Sequence, residues 1–282
     1  MSNWSDLAPR VISGVAMAAV AALAVWLGGP VLLVMLAICA GLMQWELARI
    51  CDPEKKRAAI WLGVIGGIPL LSINFLDEFL DLIGSTWDSF VLVLFAVSIV
   101  LPSIVGLFLL SKKRKLHASY ALAIQITAIV LIVLRETHSA FVLLFLIGVV
   151  VITDVAGYFA GRLIGGPKFW PKISPKKTWS GTIAGWIGAA IFAWAFSYFA
   201  KAESELGSVL MFMFIAVLLS FAGQMGDIVE SAMKRSAGIK DSSNLIPGHG
   251  GFLDRFDAII GACVLGATMA VVMFIYVVIV GL

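Results

Sequence analysis

An all-α, polytopic integral membrane protein of about nine transmembrane helices is the architecture this sequence calls for. Of its 282 residues 61% are hydrophobic and only 13% are charged, with a mean hydropathy of +1.03, whereas an ordinary soluble domain carries about 25% charged residues. The apolar residues gather into runs of roughly 20, the length that crosses the hydrocarbon of a bilayer. The basic residues supply the third observation, because 18 of the 20 Lys and Arg fall in alternate loops. A net charge of +3 gives no reason to invoke a nucleic-acid partner.

The expected spans are 11–27, 30–48, 58–76, 90–110, 118–134, 139–161, 179–200, 207–225 and 257–280. Gly28-Gly29-Pro30 divides the first two into a tight helical hairpin. The first run has one basic residue, Arg10, and no polar cleavage region, so it reads as a retained helix rather than a signal peptide. Clusters such as Lys55-Lys56-Arg57 and Lys112-Lys113-Arg114-Lys115 mark one side, while Arg135, Lys201 and the acidic loop 77–89 mark the other. Basic loops stay in the cytoplasm. The N-terminus is therefore expected inside and the C-terminus outside. Cys39, Cys51 and Cys263 are far apart and lack ligand spacing, which suits small packing residues.

Polar groups divide the chain unevenly. Residues 1–138 (helices 1–5) read as a transmembrane scaffold in which Gln44 and Glu46 are the main polar residues within a span. Residues 139–282 (helices 6–9) carry the intramembrane acids and the polar cytoplasmic loops 162–178 and 226–256, and read as the catalytic region. A charge at the bilayer centre costs about 2.5–3.5 kcal/mol on insertion scales, so such residues are functional candidates. Asp154 follows the run Val149–Thr153, with Tyr158 one turn on; Gly157, Gly161 and Gly165 nearby read as close helix packing.

Two further constellations stand out. Pro171 and Pro175 keep the backbone out of helix until about Lys176, so Lys176, Lys177 and Thr178 are expected at the start of helix 7, where N–H groups and ammonium groups would suit a polyphosphate. A Walker-type loop is missing, since Gly165-Gly166 is followed by Pro167. Asp227, Glu230, Ser231 and Lys234 then fall on one helix face, which must meet protein or water rather than lipid. Beyond them come Lys240-Asp241, Pro247-Gly248-His249-Gly250-Gly251, and Asp254-Arg255-Phe256-Asp257 at the head of the last helix. Glycines around a histidine allow backbone N–H groups to approach a phosphate, and carboxylates spaced i, i+3 can hold a hard cation such as Mg2+.

The string Ser231-x-x-Lys234-Arg235 … Lys240-Asp241 … Ile246-Pro247-x-His249-Gly250-Gly251-x-x-Asp254-Arg255-x-Asp257 resembles the signature of the phosphatidate cytidylyltransferases, the CDP-diacylglycerol synthases, with every motif position filled. Ser174-Pro175-Lys176-Lys177-Thr178-x-x-Gly181 and Asp154-x-x-x-Tyr158-x-x-Gly161-Arg162 resemble further blocks of that family. The resemblance is close over the C-terminal half and extends to the first five spans only in hydropathy and length. It implies the reaction of CTP with phosphatidate to give CDP-diacylglycerol and pyrophosphate; the carboxylates point to assistance by Mg2+, and the short tails and compact size to a bacterial cytoplasmic membrane. On that reading Asp227 and Asp254 are the expected metal ligands, with Ser231 and Asp257 beside them. Lys176, Lys177, Lys234, Arg235 and Arg255 would neutralise phosphates, Thr178, His249, Gly250 and Gly251 would bind or orient the triphosphate, and Asp154 would be a further ligand or orienter. A homodimer is compatible with the family, though no interface is legible in the spans. The alternatives are a CTP-dependent polyprenol or phytol kinase and a secondary transporter; a transporter usually carries polar groups in both halves.

Overall fold

The structure, a computed structural model, describes residues 7–83, 88–199 and 206–280. Lys201 and Ser85 lie outside the described residues, as does the core of the acidic loop at 84–87. The helices are α1 (Leu7–Leu27), α2 (Gly29–Cys51), α3 (Lys56–Ile83), α4 (Asp88–Leu109), α5 (Arg114–Val133), α6 (Ala140–Leu163), α7 (Trp179–Phe199), α8 (Leu206–Ser236) and α9 (Leu253–Val280). A π-helical turn, Leu134–His138, separates α5 from α6. Among the described residues, six helical stretches are long and apolar enough to cross a membrane: Gly29–Cys51, Arg114–Thr137, Ala140–Leu163, Trp179–Phe199, Leu206–Ser236 and Leu253–Ile279. Shorter apolar stretches are Ile12–Leu27 and Ala96–Leu109. The chain is an all-α membrane protein.

It divides into two compact units, the first Met1–Ala140 with Ala237–Arg255, the second Phe141–Ser236 with Phe256–Leu282. In the first, α2 and α3 pack through glycines. A Cβ on Gly41 would meet the Gly63 carbonyl at 2.9 Å, and one on Gly67 would meet that of Ala37 at 2.7 Å. Buried amides then tie the helices together: Gln44 Nε2 donates to the Ala121 carbonyl at 2.9 Å and Gln125 Nε2 to that of Gly66 at 3.0 Å. Each amide finds an acceptor where no water is at hand. At the end of α2, Asp52 accepts the backbone N–H groups of Ser111 and Lys112 at 2.8 and 3.0 Å, joining the α2–α3 turn to the α4–α5 turn.

In the second unit α6 and α7 approach at glycines too. A Cβ on Gly181 would lie 2.6 Å from the Gly157 carbonyl, and one on Gly161 would lie 2.9 Å from Thr178 Oγ1. That agrees with the packing role expected of these residues. Thr153 Oγ1 bonds Ser220 Oγ at 2.8 Å, while Gln224 accepts from Trp186 Nε1 at 3.0 Å and donates to the Thr182 carbonyl at 3.2 Å.

The segment before α7 differs from expectation. Lys176, Lys177 and Thr178 do not begin the helix; they end a strand, β2 (Ser174–Thr178), paired antiparallel with β1 (Lys168–Trp170). Pro175 disfavours helix at the residue before it, and Thr178 caps α7 by accepting the Gly181 N–H at 3.2 Å. The helix starts at Trp179. Successive strand residues face opposite ways, so the two lysines are not equivalent.

Candidate functional site

Small residues bring α8 and α9 together and so create an acidic cluster. A Cβ on Gly226 would stand 2.2 Å from the Asp257 carbonyl, and one on Gly261 would stand 2.1 Å from that of Ala222. Neither position admits a side chain, and backbones this close bring Asp227 beside Asp257. Asp227, Glu230 and Asp257 can place carboxylate oxygens within 4.8 Å of one another. Two lysines balance them. Lys177 Nζ sits 2.5 Å from Asp227 Oδ2 and 3.4 Å from the Gln224 carbonyl, and Lys234 pairs with Glu230 one turn away on α8. Ser231 Oγ donates to Asp227 Oδ1 at 3.3 Å, and Asp257 Oδ1 accepts the Ala258 N–H at 2.7 Å. Glu230 and Lys234 are buried, whereas Asp227, Ser231, Asp257 and Lys177 are half-buried and open on one side. Lys176 and Arg235 are exposed. Asp154, on α6, borders a narrow crevice with Ser220, Gly223 and Gln224.

The loop 240–255 belongs to the first unit and has its own logic. Asp254 gathers this loop. Its Oδ2 accepts the Ser242 N–H at 2.9 Å, the Ser242 hydroxyl at 2.8 Å and the Gly251 N–H at 2.8 Å. Glu46, fully buried in α2, closes the same loop from beneath. Its carboxylate accepts Ser243 Oγ at 2.5 Å, Ser242 Oγ at 3.2 Å and the N–H groups of Phe252 and Leu253 at 3.1 and 2.7 Å. Those last two are unsatisfied donors at the start of α9, where a carboxylate is favoured. The glycines serve this arrangement. A Cβ on Gly251 would fall 2.3 Å from Glu46 Oε1, and Gly250 has φ +82° with Asp254 Oδ2 2.7 Å from where its Cβ would be. Lys240, Asp241, Asn244, His249, Gly250 and Arg255 border a pocket of about 500 Å³.

Sequence reasoning passed over several of these residues. Glu46 stood out only as a polar residue in an apolar span; its cost in a membrane was the signal that could have promoted it. Glu230 belonged to the α8 stripe but was not assigned as a ligand. Ser242 and Ser243 carry no signal, because a serine in a polar loop is unremarkable.

A model of the cytidylyltransferase family matches residues 8–279, which include both the acid cluster and the loop. The chain belongs to the cytidylyltransferase family. Among curated relatives, the phosphatidate cytidylyltransferase of Brucella suis biovar 1 is 45% identical over 123 residues, 44% of this chain and 44% of that protein. Those of Haemophilus influenzae and Staphylococcus saprophyticus are similar as well. The first is 36% identical over 171 residues (60% of this chain, 53% of the relative). The second is 41% identical over 170 (58% and 63%). The chain spans about half the length of the curated relatives it matches.

Proposed function

We propose that this membrane protein is a phosphatidate cytidylyltransferase, forming CDP-diacylglycerol and pyrophosphate from CTP and phosphatidate. The observation that carries the reading is the cluster of Asp227, Glu230 and Asp257 with Lys177 and Lys234, in a chain that belongs to the cytidylyltransferase family.

A phosphate monoester with a second pKa near about 6 is mostly dianionic at neutral pH, so phosphatidate arrives as a nucleophile without a strong general base. One of its oxygens forms a bond to the α-phosphorus of CTP; the bond from that phosphorus to the bridging oxygen breaks, and pyrophosphate leaves with the electron pair. The obstacle is repulsion between two polyanions, so positioning and charge neutralisation carry the catalysis.

Three carboxylates able to converge within 4.8 Å are the oxygen donor set that a hard divalent cation takes. Mg2+ fits them. Asp227 and Asp257 would hold it with Glu230 beside them, and Asp254, expected with Asp227 as a ligand from sequence, keeps its loop donors on one oxygen. The bound cation would supply neutralisation of phosphate charge. Lys177 can turn from Asp227 to a phosphate oxygen as the site fills, and Lys234 balances the charge of Glu230. His249, Lys240 and Arg255 around the loop pocket are suited to the triphosphate. Asp154 orients or ligates.

The nine-span topology follows from the same reading. The N-terminus and basic loops face the cytoplasm of a bacterial cell, where CTP is found, the C-terminus lies outside, and the lipid tails remain in the inner leaflet. A homodimer is part of the proposal, tested by cross-linking in the membrane. Activity is tested by giving purified protein CTP, Mg2+ and phosphatidate, and comparing a polyprenol or phytol acceptor. The proposal expects CDP-diacylglycerol from phosphatidate alone; phosphorylation of the alcohols would replace it with the lipid-kinase reading.

A further inference from the structure

Helix α1 reaches the loop at Ser13. Ser13 Oγ lies 2.8 Å from His249 Nδ1 and 3.0 Å from the Pro247 carbonyl oxygen. A serine hydroxyl has one hydrogen and two lone pairs, and a carbonyl oxygen only accepts. Both contacts can be hydrogen bonds together only if the hydroxyl hydrogen goes to Pro247 and Nδ1 meets an oxygen lone pair. At 2.8 Å that contact is a hydrogen bond only if Nδ1 carries the hydrogen. In a neutral imidazole the other nitrogen, Nε2, is then bare. Gly14 faces that edge of the ring: a Cβ there would stand 3.5 Å from Cε1 and 3.6 Å from Nε2.

His249 borders the loop pocket with Lys240, Asp241 and Arg255. Those two cations make the pocket a place for an anion. Among the described residues of α1, Ser13 and Gly14 meet the ring.

We propose that Ser13 is a positioning residue for His249. It fixes the Nδ1–H tautomer and leaves Nε2 as the single atom where the ring can take up a proton and donate it to a polyphosphate oxygen. The proton comes from solvent, the Nδ1–H bond to Ser13 is kept in both charge states, and no bond to phosphorus changes. Only the identity of the anion as CTP rests on the cytidylyltransferase reading; the tautomer stands on geometry.

The chain has three histidines, so ¹⁵N-histidine spectra of the full-length protein in lipid nanodiscs can be assigned with a His249→Gln variant. Without ligand, the wild type is expected to show a protonated Nδ1 and a bare Nε2. Inorganic tripolyphosphate should convert Nε2 to the protonated form. Ser13→Ala should bring in the Nε2–H tautomer and weaken tripolyphosphate binding about fivefold, the scale of one hydrogen bond, and Ser13→Thr should restore both. An Nε2–H ring in the wild type without ligand overturns the proposal, and so does a Ser13→Ala spectrum unchanged from wild type. The wild-type spectrum decides even if the alanine variant fails to fold. Absence of CTP turnover beside an Nδ1–H spectrum would sink the enzymatic reading and leave the tautomer standing.

Discussion

Asp254 and Asp227 are both acids of the sequence motif, yet their surroundings give them different work. Asp254 holds three donors of its own loop on one oxygen, whereas Asp227 shares a lysine and lies among carboxylates. Asp227→Asn and Asp257→Asn are therefore expected to lower kcat by about a hundredfold or more, about 2.7 kcal/mol in barrier, with thermal unfolding in detergent little changed. Asp254→Asn should lower the unfolding temperature as well, since leaving buried donors badly matched costs about 1–3 kcal/mol. Glu46→Gln should behave like Asp254→Asn. Its amide would turn an N–H2 group toward two of the four donors. A normal unfolding temperature for Glu46→Gln would remove its anchoring role. The motif acids were legible because spacing alone puts them on helix faces. Glu46 and Ser13 were not, because their partners lie 196 to 236 positions away in sequence, and nothing local encodes such a contact.

The β-ribbon before α7 makes a sharper claim about the two lysines than a helix start would. Strand alternation sends Lys177 to Asp227 and leaves Lys176 exposed. Steady-state kinetics in CTP should show Lys177→Gln losing at least about tenfold in kcat/KM, about 1.4 kcal/mol, and Lys176→Gln losing much less. Equal losses would contradict the ribbon. The proline pair announced non-helical backbone, but a three-residue strand paired with a five-residue one is too short to leave a period in the sequence.

Asp52 links two turns of the first unit and confers a pH dependence. Desolvation pushes its carboxyl up, but the Ser111 and Lys112 N–H groups and the Lys112 and Lys55 charges outweigh that and hold it below the usual carboxylate range. A depressed native value means the contribution is complete above the unfolded value of about 3.9 and is lost as pH falls through the native one. Asp52→Asn should thus be less stable than wild type at neutral pH, with the gap closing below about pH 4 in unfolding curves.

Over the molecule, hydropathy fixed the helices well: nine helices occupy the nine expected runs among the described residues. Their ends were less legible. Helix α8 continues to Ser236, eleven residues beyond the apolar run, because the face carrying Asp227, Glu230 and Lys234 is covered by ion pairs rather than lipid. The proposed topology has its own test. The three native cysteines are buried, so cysteines introduced at Ser111 and Asn244 should react with an impermeant reagent only from the cytoplasmic side, and one at Thr137 only from outside. The reverse pattern would invert the orientation. The most direct test of the account is where the phosphorus of CTP goes. With Mg2+ and phosphatidate, CTP radiolabelled at the α-phosphate should place its label in a cytidine-containing lipid, and CTP labelled at the γ-phosphate should place its label in pyrophosphate. Label from the γ-phosphate in the lipid, or none from the α-phosphate, would contradict cytidylyl transfer.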